Sequence, residues 1–231
     1  MMRHSIDVLK KLDAYLHLHE RLIYESNSFK ESITLKDKEN AIIKIYMSLE
    51  ERNLLQYLSE TELSMMKTPI SSNANQKFLN LVPFVNVASN LLIWTLKLND
   101  KVDTGLYSLN KWKKRFKFGT DFDHNQFVKR NSLHLLDEES IKIKYQYYKI
   151  IYETQKSLKG KGYSDKKRIK TYNKLMKKYG KEALEQIGFK VNEKGFIYYY
   201  PAHFFNGSHS VNLYNESMFC KEILDFVLEL D

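Results

Sequence analysis

Two pairs of residues in this chain have the chemistry to cleave a phosphodiester without a metal. Arg130 and His134 stand four apart in KRNSLH, where a guanidinium can hold a phosphate while an imidazole moves a proton. His203 and His209 stand in the polar stretch PAHFFNGSHS, where two imidazoles supply a general acid and a general base. A further cluster, DFDH at 121–124, sets Asp121 and Asp123 beside His124. A metal there needs one or two more ligands from elsewhere, and turn or helix-capping roles suit the same carboxylates. His17 and His19 are two apart, a spacing that turns them away from each other on a helix. No Walker loop, dinucleotide glycine fingerprint, nucleophile elbow or HExxH motif is present. The expected set is thus no cofactor and no metal, with a metal-independent ribonuclease as the one catalytic reading.

Charge gives a second kind of chemistry. Residues 1–100 carry 12 basic and 12 acidic side chains, residues 101–190 carry 23 and 10, and residues 191–231 carry 2 and 6. The net charge of +9 therefore sits in the middle of the chain. Two stretches concentrate it: Lys111, Lys113, Lys114, Arg115 and Lys117 in NKWKKRFKFG, and Lys166, Lys167, Arg168, Lys170, Lys174, Lys177 and Lys178 after KGKGYS. Lysines of this kind contact phosphates by counterion release and read no bases. Trp112, Phe116, Tyr145, Tyr148 and Tyr163, interleaved with them, are the rings placed to stack on unpaired bases. Spacing gives Trp112 and Phe116 another use, as anchors of the basic stretch in a core.

The elements that must position these residues are mostly helical. Three prolines and eight glycines among 231 residues leave long uninterrupted stretches. Apolar periodicity predicts helices over Ser5–Asn27, Lys36–Leu58 and Gln76–Leu98, with a short one through Lys67 opened by a Ser59/Glu62 capping box. A further helix runs from Asp137 to Leu158, and the next, Asp165–Tyr179, carries Ile169, Tyr172, Leu175, Met176 and Tyr179 as one stripe. KEALEQIG makes a short helix, GFKVNEKGFIYYYP a β-hairpin turning at 192–195, and the closing helix starts after Asn215. The layout of 165–200 resembles the core of a winged helix, which implies a wing touching phosphates. Cys220, the single cysteine, is expected as a small buried residue of the last helix and excludes a disulfide framework.

The expected fold is therefore mainly α, of α+β class. It has an antiparallel helical bundle over 1–100, then a basic helical region with a small hairpin and closing helix over 101–231. Phe78–Leu98 is the most apolar stretch, but its asparagines, serine and lysine suit a buried core helix better than a membrane span. With no signal-peptide apolar region at the start, a cytoplasmic protein off the membrane is expected. The partner expected from the charge is nucleic acid, RNA or single-stranded DNA before duplex, bound through its backbone with low sequence specificity. An acidic protein surface, met by a non-catalytic inhibitor, adaptor or accessory subunit, is the alternative, and the ribonuclease is the second.

Overall fold

The computed structural model describes residues 2–28, 34–67, 74–99, 112, 114, 116–119, 121–158, 165–186, 189–191, 197–199 and 209–230. The chain divides into two compact units. Unit 1 is 1–136 with 226–231, and unit 2 is 137–225.

In unit 1, α1 (Ser5–Ser28) packs chiefly against α4 (Ala74–Thr95). Its other neighbours are α2 (Leu35–Glu51), the 3-10 turn Leu55–Tyr57 and α5 (His124–Asn131); α3 is Glu60–Lys67. The core joins Val8, Leu9, Leu12, Tyr15, Leu16 and Leu22 of α1 to Phe84, Val85, Ala88, Leu91 and Leu92 of α4. The polar residues of α4 are buried too, yet they are satisfied by their own helix. Ser89 Oγ donates to the Val85 carbonyl (2.7 Å), Asn90 Nδ2 to that of Asn86 (3.0 Å) and Thr95 Oγ1 to that of Leu91 (2.9 Å). That bonding removes most of the cost of burying them. No described helix is long and apolar enough to cross a membrane.

Helix α2 ends earlier than its periodicity suggests. Thr34 and Asp37 form a capping box at its start. At its end Asn53 takes a left-handed conformation (φ 55°), with its N–H on the Glu50 carbonyl and that of Leu54 on the Leu49 carbonyl. This is a Schellman closure made by an asparagine, the residue besides glycine that tolerates it best. Leu54 and Leu58 are still buried, but they reach the core from the 3-10 turn that follows. The Ser59/Glu62 capping box forms as expected: Ser59 N–H donates to Glu62 (2.5 Å) and Glu62 N–H to Ser59 Oγ (3.2 Å).

Glu62 has a second task. Lys11 Nζ, buried on α1, donates to Glu62 Oε2 (2.9 Å) and to the Tyr57 carbonyl (2.7 Å). The Tyr15 hydroxyl donates to the other carboxylate oxygen. The ammonium also lies 4.7 Å from the ring centre of Phe226. A fully enclosed ion pair survives only when its remaining donors and acceptors are met, as they are here.

Unit 2 is helical as well: α6 (Glu138–Leu158), α7 (Asp165–Tyr179), α8 (Lys181–Gln186) and α9 (His209–Leu228), the last running into unit 1 at Phe226. Ile141, Tyr145, Tyr148, Ile150 and Ile151 of α6 are buried, as are Met218, Phe219, Cys220, Ile223 and Leu224 of α9. Gly180, at φ 79°, ends α7.

The α+β expectation is corrected: the architecture is mainly helical. Among the described residues the extended parts are two three-residue pieces in antiparallel register, Phe189–Val191 and Ile197–Tyr199. They are too short to form a sheet layer, and the expected turn at 192–195 lies outside the described residues. The wing of a winged helix therefore carries no argument. The closing helix is also corrected, starting at His209 and not after Asn215. Asn212 and Asn215 lie within this helix, and asparagine costs a helix interior only a few tenths of a kcal/mol, about 0.7 at most.

Both tryptophans, Trp94 and Trp112, belong to unit 1, so indole fluorescence reports on that unit. Lys11→Met leaves the Glu62 carboxylate buried beside Tyr15, and urea denaturation followed by that signal is expected to show a loss of about 3–5 kcal/mol. Lys11→Met combined with Glu62→Gln should recover a large part of it. A single variant that unfolds like the parent would show that the pair does not hold unit 1.

Candidate functional site

Helix α7 places its lysines by simple periodicity. Leu175 and Met176 are half-buried, which turns Lys170, Lys174, Lys177 and Lys178 outward, and all four are exposed. Lys178 lies 4.8 Å from the Tyr179 ring, which raises its pKa through the tyrosine hydroxyl. Lys170, Lys174 and Lys177 take part in no ion pair among the described residues. Three other lysines of unit 2 are paired: Lys142 meets Glu138 (2.6 Å), Lys181 meets Glu185 (4.0 Å) and Lys221 meets Asp225. Lys166, Lys167 and Arg168 are on α7, but their side chains lie outside the described residues, as do Lys111, Lys113 and Arg115 altogether. Lys114 and Lys117 are exposed in unit 1.

Of the rings expected to stack on bases, the four described are buried and not free to do so. Trp112, Phe116, Tyr145 and Tyr148 are 5%, 2%, 9% and 6% exposed, and Tyr163 lies outside the described residues. Trp112 and Phe116 stack on each other at 5.5 Å, acting as the anchors of the basic stretch. Burial, then the nearby Asp225, raises the Tyr145 hydroxyl to about 12.

Of the two proton-transfer pairs, the described one, Arg130 with His134, is not brought onto one helix face. Asp123 caps α5 by accepting from Gln126 N–H (2.9 Å), and the helix closes at Ser132 in a left-handed conformation (φ 45°). Arg130 is therefore on the helix and His134 beyond its end, so the shared face that their spacing suggests does not exist. Both are exposed. His203 lies outside the described residues, and so does the side chain of His209. Among the described residues no group of three or more His, Cys, Asp or Glu is placed to hold a metal ion. Within DFDH, Asp123 is committed to its cap and His124 turns to a partner on α1.

That partner is Asp13, the centre of a network that periodicity hides. Asp13 is 2% exposed and accepts from Arg52 Nη2 (2.9 and 3.2 Å) and His124 Nε2 (3.0 Å). Arg52 Nη1 donates to His17 Nδ1 (2.8 Å), while Nη2 also reaches the Gly119 carbonyl (3.4 Å). Because a guanidinium only donates, His17 Nδ1 must be bare, and Nε2 then donates to Ser48 Oγ (2.7 Å). A neutral His17 is thus built in. Burial, then the charge of Arg52, lowers its pKa to about 4. One signal for this network was readable: Asp13 interrupts the stripe of Leu9, Leu12 and Leu16, and His17 follows it one turn on.

Unit 2 holds an opposite case. Glu216 is 1% exposed, and neither carboxyl oxygen has a hydrogen-bond partner among the described residues. Burial pushes its pKa well above the usual carboxylate range, and burial likewise raises the Cys220 thiol one turn on. A thiol held in that state is a packing group. The chain matches no protein-family model, no curated protein and no solved structure.

These two groups set opposite pH slopes. His17 holds its proton less tightly folded than unfolded, so its contribution is present above about 6.5 and lost as pH falls toward 4. The urea midpoint read by indole fluorescence should fall over that range. His17→Gln, whose amide both accepts and donates, should flatten the fall, and an unchanged slope would contradict the assignment. Glu216 holds its proton more tightly folded, so stability declines as pH rises above 4.5. Calorimetry of Glu216→Gln should match the parent near pH 4.5 and exceed it by a few degrees at pH 8. A variant no more stable at pH 8 would mean that the carboxyl finds a partner.

Proposed function

We propose that the protein binds nucleic acid through its phosphate backbone, with low sequence specificity, using the outer face of α7. The observation that carries this is the exposed set Lys170, Lys174 and Lys177, without an ion pair among the described residues and one to two turns apart on a single helix. Like charges held this close repel one another, and phosphates relieve that repulsion while releasing counterions. Among the described side chains of α7 the exposed face is mostly lysine, with Asn173 the one amide that could reach a base edge, so the contact is chiefly electrostatic and sequence-tolerant. Single strands, RNA or DNA, suit it best, because an exposed flexible backbone adapts to a lysine row without a groove to fit.

A second reading, a non-catalytic protein that docks on a partner, is favoured by a different observation. Ile43 and Met47 of α2 are 52% and 54% exposed, large apolar residues one turn apart on one face. The two readings separate on purification. Mass measurement after nuclease treatment shows bound nucleic acid removed in the first case and a protein partner retained in the second.

Affinity for labelled single-stranded RNA, single-stranded DNA and duplex, measured across a salt series, tests the first reading. Log affinity should fall linearly with log salt, by roughly 0.7 per contact on single strands. Lys170→Glu with Lys174→Glu and Lys177→Glu should lower affinity at least about tenfold and flatten the slope by roughly two contacts' worth or more. Absent binding at low salt, or affinity indifferent to salt, would overturn the reading.

A further inference from the structure

We propose that a cleft in unit 1, between residues 117–119 and 121–123 on one side and α5 on the other, is a nucleotide pocket, taking a phosphate, a sugar and a base together. The cleft has a volume of about 460 Å³, within the roughly 300–1,000 Å³ of small-ligand sites. Its wall is aromatic. Phe122 and Phe127 line it, their ring centres 5.3 Å apart, and both are half-buried. Each is held from behind. Phe118 meets Phe122 edge-on at 4.5 Å, His124 meets it at 4.8 Å, and Phe116 meets Phe127 at 5.3 Å. Rings packed on one side and open on the other are a preset surface for a base.

The polar lining supplies the rest of a nucleotide's contacts. Lys117 and Arg130 line the cleft, are exposed, and take part in no ion pair among the described residues. Lys117 holds a left-handed backbone (φ 46°), an uncommon conformation for a long side chain, at the point where the loop turns into the cleft. A guanidinium and an ammonium suit a phosphate, the first by two parallel hydrogen bonds. Asp121 and Gln126 also line it and offer acceptors for sugar hydroxyls and for an exocyclic amino group. Asp123 is occupied at the N-terminus of α5, so its charge opposes the phosphate less. An aliphatic amino acid would satisfy Arg130 and Asp121 but leave the ring wall unused, and an aromatic one would use the wall but leave Lys117 without an anion. A free nucleotide and one unpaired nucleotide of a strand share the chemistry described.

The pocket lies wholly in unit 1 and stands without the α7 reading. Equilibrium dialysis of the full chain against adenosine and uridine 5′-monophosphate tests it, with oligo(U), inorganic phosphate and phenylalanine as parallel probes. The monophosphates should bind, and Arg130→Gln, an exposed change, should weaken them tenfold or more. Phe122→Leu should weaken them while leaving phosphate alone unaffected, with indole fluorescence confirming the fold. Lys170→Glu with Lys174→Glu and Lys177→Glu should leave monophosphate binding unchanged, which separates this pocket from α7. Binding by oligo(U) alone, weakened by Arg130→Gln, assigns the pocket to a strand's nucleotide. The proposal is overturned by monophosphate and strand affinities that both ignore Arg130→Gln. Inorganic phosphate binding as tightly as the nucleotides would overturn it too, as would displacement of the nucleotides by phenylalanine.

Discussion

Helix α1 carries charge into a place where charge is expensive, and unit 1 is arranged around meeting that demand. Lys11, Asp13 and Glu25 are each no more than 2% exposed on a helix whose other buried positions, His19 and Ser26 apart, are apolar. An isolated ion in such surroundings costs several kcal/mol, so each must be matched by a partner brought from elsewhere. Glu62 reaches Lys11 from the start of α3, Arg52 and His124 reach Asp13 from the end of α2 and the start of α5, and Arg21 reaches Glu25 within α1 (2.8 Å). These contacts fix where α2 stops, where α3 begins and how α5 is turned. Packing area alone would leave those choices open, since apolar faces slide past one another at little cost.

The same requirement separates two uses of positive charge. In unit 1, Lys11, Arg21 and Arg52 are committed to internal carboxylates. On α7 the lysines outnumber the acids so heavily that Lys170, Lys174 and Lys177 have no described counterpart. Paired cations hold a structure together and unpaired ones attract a partner. Both kinds are lysine and arginine in composition, and only the structure distinguishes them.

How much of this was readable in the chain depended on the range of each interaction. The Ser59/Glu62 capping box, the Asp165–Tyr179 helix and its stop at Gly180 follow from residues within a few positions of one another, and they form as read. The end of α2 was misread because Leu54, Leu55 and Leu58 continue the apolar rhythm, while the left-handed turn at Asn53 leaves no trace in that rhythm. Arg130 and His134 were misjudged for a similar reason, since a single left-handed serine between them decides whether they share a face. The Asp13 network was out of reach. Its partners stand 39 and 111 residues away, and no local pattern ties DFDH to the first helix. The short paired pieces at 189–191 and 197–199 show the reverse error, in which a good turn signal was given more weight than six extended residues can bear.

The claim that unpaired charge on α7 makes the contact is tested most directly by mapping where a strand touches the protein. Ultraviolet crosslinking of bound oligo(U), followed by digestion and mass analysis of the attached peptides, gives that map. The account predicts attachment concentrated in peptides from 165–179, and loss of those crosslinks as salt is raised. Attachment spread evenly over the chain, or absent from 165–179, would contradict it.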